Sequence, residues 1–277
     1  MTNRAGRKNI AEDTLKILED GYFKQANGET QSIAELQKYA IENTKVYSPE
    51  ESNQLILDRI SSPATTPTKI SVVHGTTLDV TRKLIAEGNK DVLCLNFASA
   101  KNPGGGFLGG SQAQEESIAR STGLYPCQMK AWTYYEINRN STSCFYTDYM
   151  IYSPKVPILK NEEGEICPEI MTTGIITAPA VNTGVVKRKE PNRVGEVKEV
   201  MKRRIAKVLA IALLNNHKSI VLGAWGCGVF QNDPVEIAQY FNEVIESDFK
   251  DEFREIVFAI YSRQEKFINA FYQEFGK

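Results

Sequence analysis

Asn102-Pro103-Gly104-Gly105-Gly106-Phe107-Leu108-Gly109-Gly110-Ser111-Gln112-Ala113-Gln114-Glu115-Glu116 follows an apolar run, Val92-Leu93-Cys94-Leu95-Asn96-Phe97. It precedes a helical pattern with Ile118, Ala119 and Leu124 on one side. The order is strand, glycine-rich loop, helix. Consecutive glycines let backbone approach a ligand closely and adopt positive φ. Loop N–H groups and a helix N-terminus together favour a phosphate or diphosphate. Glu115 and Glu116 would repel such a group, so they suit an uncharged part of the same ligand, such as a ribose. Paired acids beside a sugar suggest glycosidic-bond chemistry. The motif also has a plain reading. First-turn acids stabilise a helix by roughly 0.3–1 kcal/mol each, and a glycine cluster can be only a turn.

A second stretch has the same form. Ser219-Ile220-Val221-Leu222 runs into Gly223-Ala224-Trp225-Gly226-Cys227-Gly228-Val229-Phe230, and a helix starts at Pro234, capped by Asp233 with Glu236 following. In an open α/β sheet both loops would sit at carboxyl ends of strands, where ligands bind. Cys227 invites a nucleophile reading, but no histidine stands nearby in sequence to activate it.

Outward from these loops, Ile70–His74, Thr173–Pro179 and Ile256–Ile260 read as further strands. Helices are expected at 78–87, 194–215 and from the last strand to about Phe275. Residues 127–170 are aromatic-rich, and Ser153-Pro154 and Val156-Pro157 are expected to break any long element there. Residues 185–195, with Lys187, Arg188, Lys189 and Arg193, read as a solvated basic loop. Before residue 69 the pattern is helical: 8–20 with a stop at Gly21, a helix capped by Ser32 with Glu35, and a third opened by Ser48-Pro49-Glu50-Glu51 with Leu55, Ile56 and Ile60 buried. A polar linker is expected over 61–68. The division expected is 1–68 as a helical extension packed on a 69–277 core.

Composition sets bounds. At 277 residues and 42% hydrophobic the chain can bury a sizeable core, and a net charge of −1 gives no global pull toward nucleic acid or membrane. No apolar run is long enough to span a bilayer. The N-terminus is basic but lacks an apolar signal core. Five cysteines, Cys94, Cys127, Cys144, Cys167 and Cys227, show no metal spacing and fit reduced thiols in the cytoplasm. His74 and His217 are the two histidines, which argues against a histidine-built metal site or a Ser-His-Asp triad. Neither glycine loop continues into Gly-Lys-Ser/Thr, so a P-loop nucleotidase is disfavoured.

Gly104-Gly105-Gly106, seven residues, then Gln114-Glu115-Glu116 resembles the signature of poly(ADP-ribose) glycohydrolases. Asn96 to Pro103 and Leu222 to Phe230 resemble the compact bacterial-type branch, and the likeness runs over nearly the whole chain. The resemblance implies a macrodomain, an α/β fold with a mixed central sheet flanked by helices, binding ADP-ribose at the strand ends. It implies Glu116 as catalytic acid/base and Glu115 as the residue holding the ribose beside the scissile bond. It assigns the diphosphate to Gly104, Gly105, Gly106 and Phe107 and to Gly226, Cys227, Gly228 and Val229, and places Phe230 near the adenosine end. Asn102 and Gln114 would support the ribose, and Thr77 would line the adenine pocket.

The implied reaction cleaves ribose–ribose bonds of poly(ADP-ribose), carried on ADP-ribosylated proteins, and releases ADP-ribose. It needs no cofactor, metal, membrane or sequence-specific nucleic-acid partner. A donor acid at Glu116 calls for a raised pKa, with Glu115 as the repelling charge. The alternatives are a macrodomain that reads ADP-ribose without cleaving it, disfavoured by Glu116, and a hydrolase of single ADP-ribose units.

Overall fold

A computed structural model describes residues 3–58 and 66–276. Nine strands are described: β1 (Tyr22–Lys24), β2 (Thr30–Ser32), β3 (Lys45–Tyr47), β4 (Lys69–His74), β5 (Val92–Phe97), β6 (Met150–Lys160), β7 (Ile166–Ala178), β8 (Ser219–Leu222) and β9 (Glu255–Ile260). The helices are α1 (Arg4–Asp20), α2 (Ala34–Glu42), α3 (Pro49–Asp58), α4 (Thr77–Ala86), α5 (Gln114–Ser121), α6 (Leu124–Lys130), α7 (Trp132–Asn140), α8 (Thr183–Lys189), α9 (Val197–Leu214), α10 (Pro234–Asp248) and α11 (Glu265–Phe275). β1 and β2 form a hairpin. The other strands make one mixed sheet in the order β3-β6-β7-β5-β8-β9-β4. β7, β5, β8, β9 and β4 run parallel, so their carboxyl ends share one edge, and β6 and β3 are antiparallel additions.

The central parallel strands β5, β8 and β9 are buried along nearly their whole length because both faces are covered. Along β9, Ile256, Phe258 and Ile260 enter the cluster formed with α9, α10 and α11, while Val257 and Ala259 face the cluster that holds Leu78 and Leu84 of α4. β5 alternates in the same way, with Leu93 and Leu95 on the first face and Val92 and Cys94 on the second.

Several expectations change. The prolines at 154 and 157 do not break the chain, because β6 runs through both. The ladder to β7 shifts register between Ser153 and Val156, and Lys155 there takes φ 47°. A bulge is where a residue without an N–H costs the ladder least. The segment before residue 69 is not helical alone, since β3 pairs with β6 in the main sheet. α2 is capped at Ile33 with no side-chain bond, so Ser32 and Glu35 form no capping box. Ser48 and Glu51 do form one, with Ser48 N donating to Glu51 Oε2 at 2.9 Å and Glu51 N to Ser48 Oγ at 3.1 Å. The basic stretch is helical, as α8 and a 3₁₀ turn over Pro191–Glu196. Ile60 and the 61–65 part of the expected linker lie outside the described residues, whereas Thr68 is tied to Asp251 and Phe253.

One buried ion network joins α9 to the turn before β6. Asp148 accepts from Arg203 Nε at 2.6 Å, Arg204 Nε at 2.8 Å and Lys207 Nζ at 3.1 Å. Arg204 also donates to the carbonyls of Pro179 and Phe145. Burial alone would raise the Asp148 pKa, but Arg204, Arg203 and Lys207 outweigh it and hold it well below the usual carboxylate range. Asp148→Asn leaves buried cations without their counter-charge and should cost about 3–5 kcal/mol in urea denaturation at neutral pH. A depressed folded-state pKa gives stability that is present above the unfolded-state value and lost as pH falls through the folded one. The gap between wild type and variant should therefore narrow in acid.

Candidate active site

The site is built where β5 ends. Asn96 is fully buried in that strand, and its Nδ2 donates to Glu115 Oε1 at 3.2 Å and to Thr177 Oγ1 on β7 at 3.2 Å. The chain then turns at Ser99, whose N donates to Glu115 Oε2 at 2.7 Å. Ser99 Oγ accepts from Lys101 N and Asn102 N and so starts the glycine loop. Gln128 Nε2 of α6 donates to Glu115 Oε1 at 3.1 Å. Both Glu115 oxygens are thus held by protein, and the residue is 3% exposed.

Glu116 is half-buried, and Gly106 N donates to its Oε1 at 2.9 Å. Its Oε2 has no protein partner among the described residues. Gly105 makes this possible. It sits at φ 58°, and a Cβ there would lie 2.5 Å from Glu116 Oε1 and 3.2 Å from Glu115 Oε2. Any side chain would displace both carboxylates.

The other predicted residues divide by what they touch. Gln114 clamps the base of the site, donating to Leu95 O at 2.7 Å and Thr77 Oγ1 at 3.1 Å and accepting from Phe97 N at 2.8 Å. That fully employed amide positions the loop, and Thr77 is buried beneath it. The Phe107 ring is fully buried against Ala11, Ala119 and Tyr125, so only its backbone can meet a ligand. Asn102 is exposed on the loop. From outside, Arg4 Nε and Arg7 Nε of α1 donate to the carbonyls of Gly109 and Gly110, each at 2.9 Å.

The second glycine loop faces the first across the ends of β5 and β8. Gly226 has φ 75°, and a Cβ would strike Asn232 Nδ2 at 2.4 Å and Ala180 Cβ at 2.5 Å. Asn232 is 5% exposed and stitches two loops, donating to Val181 O and Gly226 O and accepting from Thr183 Oγ1. Among the described residues the N–H groups of Gly228, Val229 and Phe230 reach no acceptor. Three successive free amides make a concavity for an anion. Cys227 is buried and its thiol pKa is pushed far up by that burial, so it cannot supply a nucleophile at neutral pH. The Phe230 ring lies 6.0 Å from Tyr146, which holds φ 58°.

Sequence reasoning missed several residues. Asn96 had a signal, as the one amide in an apolar strand. Ser99, Gln128, Asn232 and Tyr146 reach the site only through tertiary contact. Tyr261 directly follows β9, is 56% exposed, and lies 6.0 Å from His74 at the end of β4. It marks the end of the cleft away from Tyr146.

The matched families and structures agree with this architecture. The chain matches the model of the microbial-type PARG catalytic domain over residues 11–161. It is similar to the crystal structure of poly(ADP-ribose) glycohydrolase from Thermomonospora curvata, at 37% identity and TM-score 0.94, covering 97% of this chain and 99% of that one. The same enzyme bound to the inhibitor ADP-HPD matches at 36% identity and TM-score 0.90, covering 96% and 98%. The Deinococcus radiodurans enzyme in complex with ADP-ribose matches at 38% identity and TM-score 0.82, covering 86% and 96%. No curated protein sequence matches.

Glu115 is the more deeply buried carboxylate of the pair. Burial pushes its carboxyl up to about 8, against the hydrogen bonds from Ser99, Asn96 and Gln128, and the Glu116 charge pushes the same way. Asn96 Oδ1 and Gln128 Oε1 are buried without partners. Turning either amide over would give a Glu115 proton an acceptor. A raised folded-state pKa gives stability that is full below the unfolded value and lost as pH rises through the folded one. Wild type should therefore lose stability relative to Glu115→Gln between about pH 4.5 and about 8. The total should be up to about 5 kcal/mol, on the order of 1.4 kcal/mol per pH unit. Urea denaturation across that range measures it.

Proposed function

Because the chain belongs to the microbial-type poly(ADP-ribose) glycohydrolases and is a poly(ADP-ribose) glycohydrolase, we propose that Glu116 is its acid/base and Glu115 its positioning carboxylate. One observation carries the division: Glu116 has an oxygen to spare, and Glu115 has none. The order of strand ends then orders the ligand. The adenine lies toward Tyr261 and Thr77, the diphosphate between the two glycine loops, and the terminal ribose at Glu116 beside Phe230 and Tyr146. This moves Phe230 from the adenosine end to the ribose end, because it packs on Tyr146 while Tyr261 stands at the β4–β9 edge.

Protonated Glu116 donates to the bridging oxygen as the C1″–O bond breaks, so the leaving chain departs with a neutral 2′-hydroxyl. The anomeric carbon gains oxocarbenium character, which the negative charge of the ligand's own diphosphate, held between the two glycine loops, would stabilise. Glu116, now a carboxylate, takes a proton from the water that attacks that carbon, giving ADP-ribose and restoring the acid. One carboxylate serves both steps, because neighbours on one helical turn cannot flank a bond from opposite sides as paired glycosidase acids do.

The five cysteines are all free thiols, which supports a reducing, cytoplasmic setting. No helix among the described residues is long and apolar enough to cross a membrane.

Glu116→Gln keeps the bond from Gly106 N but holds no transferable proton. Its release of ADP-ribose from polymer should fall by about 10²–10⁴-fold, the usual share of general acid–base catalysis. ADP-ribose affinity by calorimetry should stay within a few-fold of wild type. A folded variant hydrolysing at the wild-type rate would falsify the assignment. Gly105→Ala, which pushes on both carboxylates, should lose turnover on a similar scale in the same assay.

A further inference from the structure

The cleft accounts for one terminal ADP-ribose, yet the substrate is a chain, and each further unit brings a diphosphate and an adenine. The basic stretch around Lys187 is joined to the cleft at both ends. At its start, Gly184 N donates to Phe230 O at 3.0 Å and Thr183 bonds Asn232. At its end, Glu190 accepts from Cys144 N at 2.6 Å and Ser143 Oγ at 2.8 Å, while Arg193 pairs with Glu190 and lies 4.4 Å over the Phe145 ring. These contacts hold the segment that presents Tyr146.

The cations continue from there to the catalytic loop. Lys189 and Lys101 both bring positive charge to the surroundings of Cys144, where Glu190 is the opposing charge, and Lys101 adjoins Asn102. Lys101 O accepts from Arg139 Nε at 2.7 Å, and the Arg139 guanidinium lies 4.5 Å over the Trp132 ring, which is 39% exposed. Lys187, Arg188 and Lys189 are exposed, and none is in an ion pair among the described residues. The nearby acids Glu190 and Glu196 share Arg193, which leaves one negative charge there against the three cations of α8. The result is a rim in which Lys101, Arg139, Lys187, Arg188 and Lys189 outnumber the acids beside them, exposed Glu136 of α7 included, with an open indole, on the Glu116 side of the cleft.

We propose that this rim, formed by Lys101, Arg139 and Trp132 with Lys187, Arg188 and Lys189, binds the poly(ADP-ribose) chain on the leaving-group side of the scissile bond. The lysines and arginines take diphosphates of the units beyond that bond, and the Trp132–Arg139 pair offers a stacking face for a base. This rests on the glycohydrolase reading, because the rim is defined by where Glu116 cuts. The rim raises capture of long chains and leaves binding of a free ADP-ribose to the cleft alone.

The test is the triple variant Lys187→Glu, Arg188→Glu, Lys189→Glu. kcat/KM on long polymer at low salt should fall at least tenfold. The slope of log kcat/KM against log salt should flatten by about 2, at about 0.7 per lost contact on a single-stranded polyanion. Calorimetric affinity for ADP-ribose should not change. Filter retention of labelled polymer by Glu116→Gln protein, with and without the triple substitution, reads the rim without turnover, and the substitution should weaken it by a similar factor. Unchanged kcat/KM and retention would overturn the rim. Equal loss of ADP-ribose affinity would also overturn it, since α8 would then act only by supporting the Phe230 loop. If wild type released no ADP-ribose from polymer while retention still depended on the triple substitution, the acid/base reading would fail and the rim would stand.

Discussion

A side chain at position 105 has no room, because both carboxylates of the site occupy the space where its Cβ would be. That contact links the backbone to the chemistry. It brings Gly106 N onto Glu116 and seats the loop against Glu115, whose own bonds run back into β5 at Asn96 and into α6 at Gln128. The sheet, the loop and the first turn of α5 therefore act as one piece. The two adjacent acids end in different environments: one buried and fully bonded, the other half-buried with an oxygen open. Differential environment, not residue type, separates their roles.

The same logic extends across the cleft. Gly226 accepts the close approach of Asn232, and Asn232 binds the loops after β7 and β8 together, leaving successive N–H groups free above the strand ends. Rigid support beneath a site of unsatisfied donors is what preorganised electrostatic binding requires. The Asp148 network does related work further out. It fixes Phe145 to α9 next to Tyr146, so a buried ion cluster distant from Glu116 helps shape the ribose end of the cleft.

Much of this was legible in the chain. The two strand–glycine loop–helix units, the residues on their turns and the helix caps at Ser48 and Asp233 follow from local chemistry. β6 was not legible, because two prolines read as breakers without knowledge of the bulge that tolerates them. Nor was β3, a three-residue strand set by pairing to β6 and not by any pattern of its own. Within the site, Glu115 and Glu116 are neighbours in sequence, and only burial distinguishes them. Gln128 and Tyr146 reach the site by packing, which leaves no local mark.

The most direct measurement is a crystal structure of the Glu116→Gln protein with a short ADP-ribose oligomer trapped across the cleft. The account predicts the residue 116 side chain within about 2.6–3.2 Å of the bridging glycosidic oxygen, with Glu115 still bound to Ser99, Asn96 and Gln128. Glu115 at that oxygen, with residue 116 turned away, would contradict it.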